Sequence, residues 1–229
     1  MKKLMTFLAS ALALVGAADA ALVDRGGGMI YDTTLNLTWL ADMNYAKTQY
    51  ETTGGAQGDE DGRMLWDAAT AWANDLVYGG YSDWRLPTLN PLDTTCTNVT
   101  DPGIGFNCTG GELSRLFVTD LGNKGLESLS NQVGDTPEQI ANLALFSNVP
   151  CCDYWSGTEY APNPDVAWGF ITFGGLQTTV NKLGGLYAVA VRPGDVATSV
   201  PEPASLTLVG LALVGVVASR KRGSTAPVA

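Results

Sequence analysis

The two ends of the chain constrain its fold most, because each is an apolar run bounded by cations, a pattern that suits a membrane better than a soluble core. Lys2 and Lys3 precede an almost wholly apolar stretch, Leu4 to Ala17, closed by the small-x-small sequence Ala18-Asp19-Ala20. That order reads as a secretory signal peptide over residues 1–20, cut by signal peptidase after Ala20. At the other end Val200-Pro201-Glu202-Pro203 leads into a second apolar run, Ala204 to Ser219, followed at once by Arg220-Lys221-Arg222. The run stands at the short limit of a membrane span, about 17–25 residues. Its basic flank predicts that residues 223–229 are a cytoplasmic tail and that everything before the span lies outside. Leu206, Leu208, Leu211 and Leu213, with Gly210 and Gly215, fit a transmembrane helix over 204–219 that is apolar on all faces. Between the ends one domain is expected over 21–193, with 194–199 as a linker that lacks apolar periodicity.

Composition narrows what that domain can do. The 229 residues include no histidine, which excludes Ser-His-Asp and Cys-His catalysis and removes the commonest ligand for zinc, copper or non-haem iron. Asp and Glu number 23 against 13 Lys and Arg, a net charge of −10. Setting the two ends aside leaves eight cations and 21 acids, so the domain itself carries −13. Nucleic acid is excluded as a partner, because displacing counterions from phosphates needs cationic side chains. Hydrophobic residues make up 45%, enough to build a core.

Periodicity predicts mixed α and β structure. Met29-Ile30-Tyr31, the turn Asp32-Thr33-Thr34 and Leu35 to Leu40 read as an N-terminal hairpin. Gly54 to Gly62 is a polar, Gly-rich loop. Leu65, Ala69, Trp72 and Leu76 form one stripe of a helix over 64–76, ended by Gly79-Gly80. Short helices are expected at Glu112 to Val118 and Pro137 to Phe146, the second with proline in its first turn. The last third reads as strands at Tyr154–Thr158, Val166–Phe173, Leu176–Lys182 and Leu186–Arg192. Gly174-Gly175 and Gly184-Gly185 are expected to supply positive φ in the hairpins between them. An early hairpin, middle helices and a late meander make an α+β domain.

Two resemblances follow. Val200-Pro201-Glu202-Pro203, the short apolar helix and Arg220-Lys221-Arg222 resemble the PEP-CTERM sorting signal of Gram-negative bacteria over residues 200–222. The resemblance implies recognition by an exosortase, transient anchoring in the inner membrane and transfer to the cell surface or extracellular matrix. Glu202 is then a sorting determinant. Within the domain, Tyr81-Ser82-Asp83-Trp84-Arg85-Leu86-Pro87-Thr88, Trp66, Glu112-Leu113, Tyr154-Trp155-Ser156-Gly157-Thr158, Ala167-Trp168-Gly169-Phe170 and Val189-Ala190-Val191-Arg192 form a spaced series. That series resembles the Lcl C-terminal domain family of bacterial surface proteins over Met29 to Pro193. It implies a C-type-lectin-like fold, two or three short helices with a twisted antiparallel sheet that displays loops.

Six tryptophans could stack on sugar rings, but most lie in apolar stripes where core packing outweighs display; Trp168 is the one kept as a ligand-binding candidate. Arg85 reads as structural, its five donors suited to tying loop carbonyls together. Asp59, Glu60 and Asp61 place three carboxylates on the Gly-rich loop as a candidate calcium site, without the glutamate that completes an EF-hand. Asn163-Pro164-Asp165 is similar to a calcium-lectin tripeptide, but the Trp-Asn-Asp strand that completes such sites is replaced by Trp168-Gly169-Phe170. A solvated acidic surface is favoured for both segments. Of four cysteines in an exported chain, Cys96 and Cys108 flank a polar loop and read as a local disulfide. Cys151 and Cys152 are adjacent, and three fates stay open: bonding to each other, staying reduced, or pairing with Cys96 and Cys108. A redox or copper role, implied by the similarity to formylglycine-generating-enzyme-like folds, has no Cys-x-x-Cys spacing behind it.

The expectation is an exported, non-enzymatic surface or matrix protein that binds polysaccharide or another surface ligand through loops near Gly54–Gly62 and Ala161–Trp168, with no obligatory cofactor. Two alternatives belong to other classes: a glycan-acting enzyme using paired carboxylates such as Glu112 and Glu159, and a purely structural matrix component.

Overall fold

A computed structural model describes residues 22–131 and 133–196. The signal peptide, the Val200-Pro201-Glu202-Pro203 motif, the expected span and Arg220-Lys221-Arg222 lie outside the described residues. Among the described residues no helix is long and apolar enough to cross a membrane.

Strand β1 (Leu22–Asp24) leads into the expected hairpin, β2 (Met29–Asp32) and β3 (Leu37–Leu40). Asp32 closes its turn: Oδ1 accepts the N–H groups of Thr34 and Leu35, both at 2.9 Å, and Asn36 takes the positive φ that asparagine tolerates. The register sets Ile30 opposite Trp39, both buried. Helix α1 (Tyr45–Thr53), strand β4 (Arg63–Met64) and helix α2 (Trp66–Asn74) follow, then a hairpin of β5 (Thr97–Asp101) and β6 (Ile104–Phe106). Helix α3 (Glu112–Arg115) runs into a π-helical turn, Leu116–Asp120. Helix α4 (Pro137–Leu143) has a reciprocal cap, Thr136 Oγ1 accepting the Gln139 N–H while Gln139 Oε1 accepts the Thr136 N–H. The chain ends in β7 (Asp153–Glu159), β8 (Val166–Ile171), β9 (Leu176–Asn181), β10 (Leu186–Tyr187) and β11 (Val191–Pro193).

Two sheets result, ordered β1-β2-β3-β11 and β4-β10-β7-β8-β9-β6-β5. Their named pairings are antiparallel except β10 with β7. The class is the expected α+β. One core cluster gathers Trp39, Tyr154, Trp168, Phe170 and the Leu116–Phe117 turn, with Phe117 stacked on Phe170 at 5.1 Å. A second sets Ala69 and Ala73 of α2 against Trp84, Trp155 and Leu186. Burying each large ring contributes about 2–3 kcal/mol, so these clusters dominate the stability of both sheets.

The structure corrects several expectations. The helix expected over 64–76 spans only 66–74, because Arg63–Met64 pair with β10 instead; Leu65 is 47% exposed and leaves the stripe to Ala69, Ala73 and Leu76. The single strand expected over Leu186–Arg192 divides. Ala188, Val189 and Ala190 are buried as the chain crosses from one sheet to the other, so β10 joins β4 and β7 while β11 joins β3. Gly175 has the expected positive φ, but Gly174, Gly184 and Gly185 do not; the Gly184 N–H instead closes its turn on the Asn181 carbonyl at 2.8 Å. The domain also extends to Val196, so residues 194–196 are not linker. Asp195 pairs bidentately with Arg25, the Thr38 hydroxyl donates to the Gly194 carbonyl at 2.7 Å, and Val196 is buried.

Candidate functional site

The two most recognisable motifs are sewn to each other. Arg85 bonds Val191 through both backbone groups, each at 2.8 Å, and its guanidinium takes Glu112 bidentately at 2.7 and 2.8 Å. Arg85 also donates to the Leu86 carbonyl, as the five-donor reading implied. The Gly157 N–H donates to the Pro87 carbonyl, and Thr158 Oγ1 both donates to the Leu89 carbonyl and accepts its N–H. Trp155 Nε1 donates to the Met64 carbonyl, and Ser156 Oγ to the Trp168 carbonyl. These residues hold the architecture together. Burial works to raise the Glu112 carboxyl, but the Arg85 guanidinium and the Thr88 N–H outweigh it and hold it below the ordinary glutamate value. Glu159 is engaged elsewhere, with Lys182 at 2.7 Å, and the same ammonium lies 4.1 Å from the Trp66 ring centre.

Trp168 is 1% exposed, inside the core, which corrects its place among the ligand-binding candidates. Its ring packs edge-on against Tyr160, because β8 runs through the middle of the larger sheet, where side chains are covered. Asn163 and Asp165 are exposed on the β7–β8 connection, with Asn163 Oδ1 accepting the Asp165 N–H in a turn. Their contacts run to Tyr160, Val166 and Lys182, not to the acidic loop.

That loop is seated on α1. The Asp59 N–H donates to the Ala46 carbonyl at 3.2 Å, and a side chain at Gly58 would meet the same carbonyl at 2.0 Å. Asp59 and Asp61 meet there, while Glu60 is exposed. Burial, then the Asp61 carboxyl against it, raises Asp59; the Arg63 N–H holds Asp61 low. A hard cation bridging the two would relieve that contact. The same loop forms one wall of a groove of about 430 Å³ with α1 and the end of α2. Gln49, Gln57, Trp72 and Asp75 line it, and Trp72 Nε1 donates to Gln49 Oε1 at 2.7 Å. The loop is legible in the sequence but the groove is not, since Gln49 and Trp72 lie on different helices, 23 residues apart.

A buried charge cluster was also missed. Asp120 ends the π-helical turn with a 4%-exposed side chain; Arg115 Nη2 stands 4.0 Å from Oδ1, and Oδ2 has no hydrogen-bond partner. Burial, then the neighbouring Asp32 carboxylate, pushes Asp120 up to about 7. Asp32, Arg115 and Glu138 face it from β2, α3 and α4. The one sequence signal is an acid placed directly before the buried Leu121.

Cys96 and Cys108 form the expected disulfide, bridging the two ends of the β5–β6 hairpin. Asp93, next to it, accepts from the Thr95 N–H and hydroxyl and from the Gly110 N–H, so it is fully engaged as a turn anchor.

Comparison with curated proteins and with solved structures finds no match. Residues 199–222 match the PEP-CTERM protein-sorting motif, which marks an exported surface or matrix protein processed through an exosortase. Residues 28–192 match the Lcl C-terminal domain, the same span that the interlocked motifs hold together, and the chain belongs to that family.

Proposed function

We propose that this exported protein is a non-enzymatic adhesin of the cell surface or matrix, whose lectin-like domain binds a neutral polysaccharide in the groove between α1, the 54–62 loop and α2. The observation that carries the reading is Trp72, an indole fixed at its edge by Gln49 and set in a groove with a second amide and a carboxylate. A sugar ring offers an apolar C–H face and a rim of hydroxyls; an aromatic surface suits the first, and amides and carboxylates suit the second. A charge of −13 disfavours anionic polymers, which selects neutral ones.

Affinity electrophoresis of the purified protein through gels containing neutral polysaccharides tests this. The wild type is expected to be retarded, Trp72→Ala to lose about tenfold in affinity, and Trp66→Ala, whose ring is covered by Lys182, to bind like wild type. Equal retardation of wild type and Trp72→Ala would sink the groove, and no retardation in any neutral polymer would sink the adhesin reading. Running the series with calcium and with chelator assigns the loop acids: a calcium-dependent affinity that Asp59→Asn abolishes makes Asp59 and Asp61 metal ligands.

A further inference from the structure

Cys151 and Cys152 take no part in either core cluster or in the Cys96–Cys108 bridge, yet their placement is tightly determined. The two sulfurs lie 2.7 Å apart, closer than sulfur atoms in ordinary contact. Cys152 has φ of 113°, in a region that L side chains rarely adopt. Thr172 clamps it from both sides: the Cys152 N–H donates to Thr172 Oγ1 at 2.9 Å, and the Cys152 carbonyl accepts from the Thr172 hydroxyl at 2.8 Å and from its N–H at 3.1 Å. One residue later Asp153 enters β7 opposite Ile171, and one residue before Cys151 stands Pro150 with its fixed φ. A backbone strained and clamped in this way, for a pair of side chains outside both core clusters, points to use. Cys151 also lines a cavity of about 280 Å³ with Leu129, Leu143, Phe146 and Val149.

We infer that Cys151 and Cys152 are a dithiol modification site, closed by thiol–disulfide exchange into a vicinal disulfide after export, on the rim of that apolar cavity. The exchange partner is an external disulfide: a protein disulfide oxidant of the exported compartment, or oxidised glutathione in the test tube. The exposed Cys151 thiolate attacks one external sulfur, breaking that S–S bond and releasing one external thiol. The Cys152 sulfur then attacks the Cys151 sulfur, forming the ring bond and releasing the second external thiol. Two protons and two electrons leave the cysteines, and the external disulfide is reduced to two thiols. The order follows from access and acidity. Cys151 is exposed and Cys152 partly covered, and the Cys151 hydrogen bond, then burial, pushes the Cys152 thiol up to about 11. Capture of Cys151 removes that hydrogen bond and frees Cys152 for the second step.

The test uses the exported protein isolated without reductant. Alkylation in denaturant followed by intact-mass measurement should find no free thiol, and peptide mapping should place one bridge at Cys96–Cys108 and one at Cys151–Cys152. Brief native treatment with reduced glutathione, then alkylation, should label Cys151 and Cys152 alone, because Cys96 and Cys108 are buried. Cys152→Ser should leave Cys151 as a single thiol that gains one glutathione from the oxidised form. Free thiols at 151 and 152 that oxidised glutathione fails to close would overturn the inference. So would a bridge from either to Cys96 or Cys108, or a covalent dimer abolished by Cys151→Ser.

Discussion

Replacing Asp120 with asparagine should flatten, between pH 5 and pH 8, a stability profile that otherwise falls with pH. The carboxyl is shifted from the ordinary 3.8 to about 7 by burial and by Asp32, so the folded protein holds a proton there that the unfolded chain has lost. The sign follows by linkage. Stability from this group is fully present below pH 4 and is lost as pH rises through 7, at about 1.4 kcal/mol per pH unit. Over about three units the ceiling is about 4 kcal/mol, reduced by whatever water reaches the charged form. Asparagine keeps the shape and cannot ionise, so, relative to their difference at pH 4, the variant should gain on wild type by up to about 1.5 kcal/mol at pH 5 and by about 2–4 kcal/mol at pH 8. The chain suits this measurement because it has no histidine, the group that ordinarily dominates the window. Asp59 and Asp153, also raised by burial first, slope the same way, so the difference between wild type and Asp120→Asn isolates the one site. Urea midpoints at half-unit pH steps provide the assay. Parallel profiles for the two proteins, or a wild type that gains stability from pH 5 to 8, would refute the assignment of a buried, proton-holding carboxyl.

Other expectations rest on the interlocked motifs and on the tail. Glu112→Gln removes the charge from a bidentate pair with Arg85 and should cost about 2 kcal/mol at pH 7 in urea titration. Because the Glu112 carboxyl is held low, that cost should be present above the ordinary glutamate range and shrink as the pH falls through the depressed value, with wild type and variant converging in acid. Replacing Pro201-Glu202-Pro203 with alanines should leave translocation intact and keep the protein cell-associated, read by fractionation; unchanged release would remove the sorting motif's role.

Where an element buries several large apolar residues the pattern is legible in the sequence; where it buries one or none it is not. The β2–β3 hairpin and the β7–β8–β9 run are legible from their apolar and β-branched content: β3 and the middle of β8 are buried on both faces, Trp39, Trp168 and Phe170 joining one core cluster and Leu40 and Ala167 the other. Helix α1 left no stripe to read, since Ala46 is its only fully buried residue. Strand β5 is exposed along its whole length, so the hairpin it makes with β6 showed only as a polar loop around Asp101-Pro102-Gly103, held by a disulfide rather than by burial. The acidic loop was legible because carboxylates cluster in the chain itself. The groove beside it was not, since it exists only once Gln49 and Trp72 meet. Asp120 is the extreme case: its nearest acidic influence, Asp32, stands in another element at the far end of the domain's sequence.

The contacts made by the family's motifs bear on what membership can convey. Trp84, Arg85, Pro87, Trp155, Gly157 and Thr158 spend their polar groups on backbone and on each other, and the two tryptophans lie in the core. A signature built from such residues specifies a scaffold. The residues free to meet a ligand, Gln57, Asp75 and the 54–62 loop, carry none of it. Two relatives could therefore share every motif and differ wholly in what they hold. The separation is physical: substitutions in the Arg85–Glu112 clasp act on stability through partly buried, charge-assisted bonds, whereas substitutions at exposed Gln57 or Asp75 leave the core untouched and act on the groove alone. On the groove reading proposed above, fold and specificity are written in different residues.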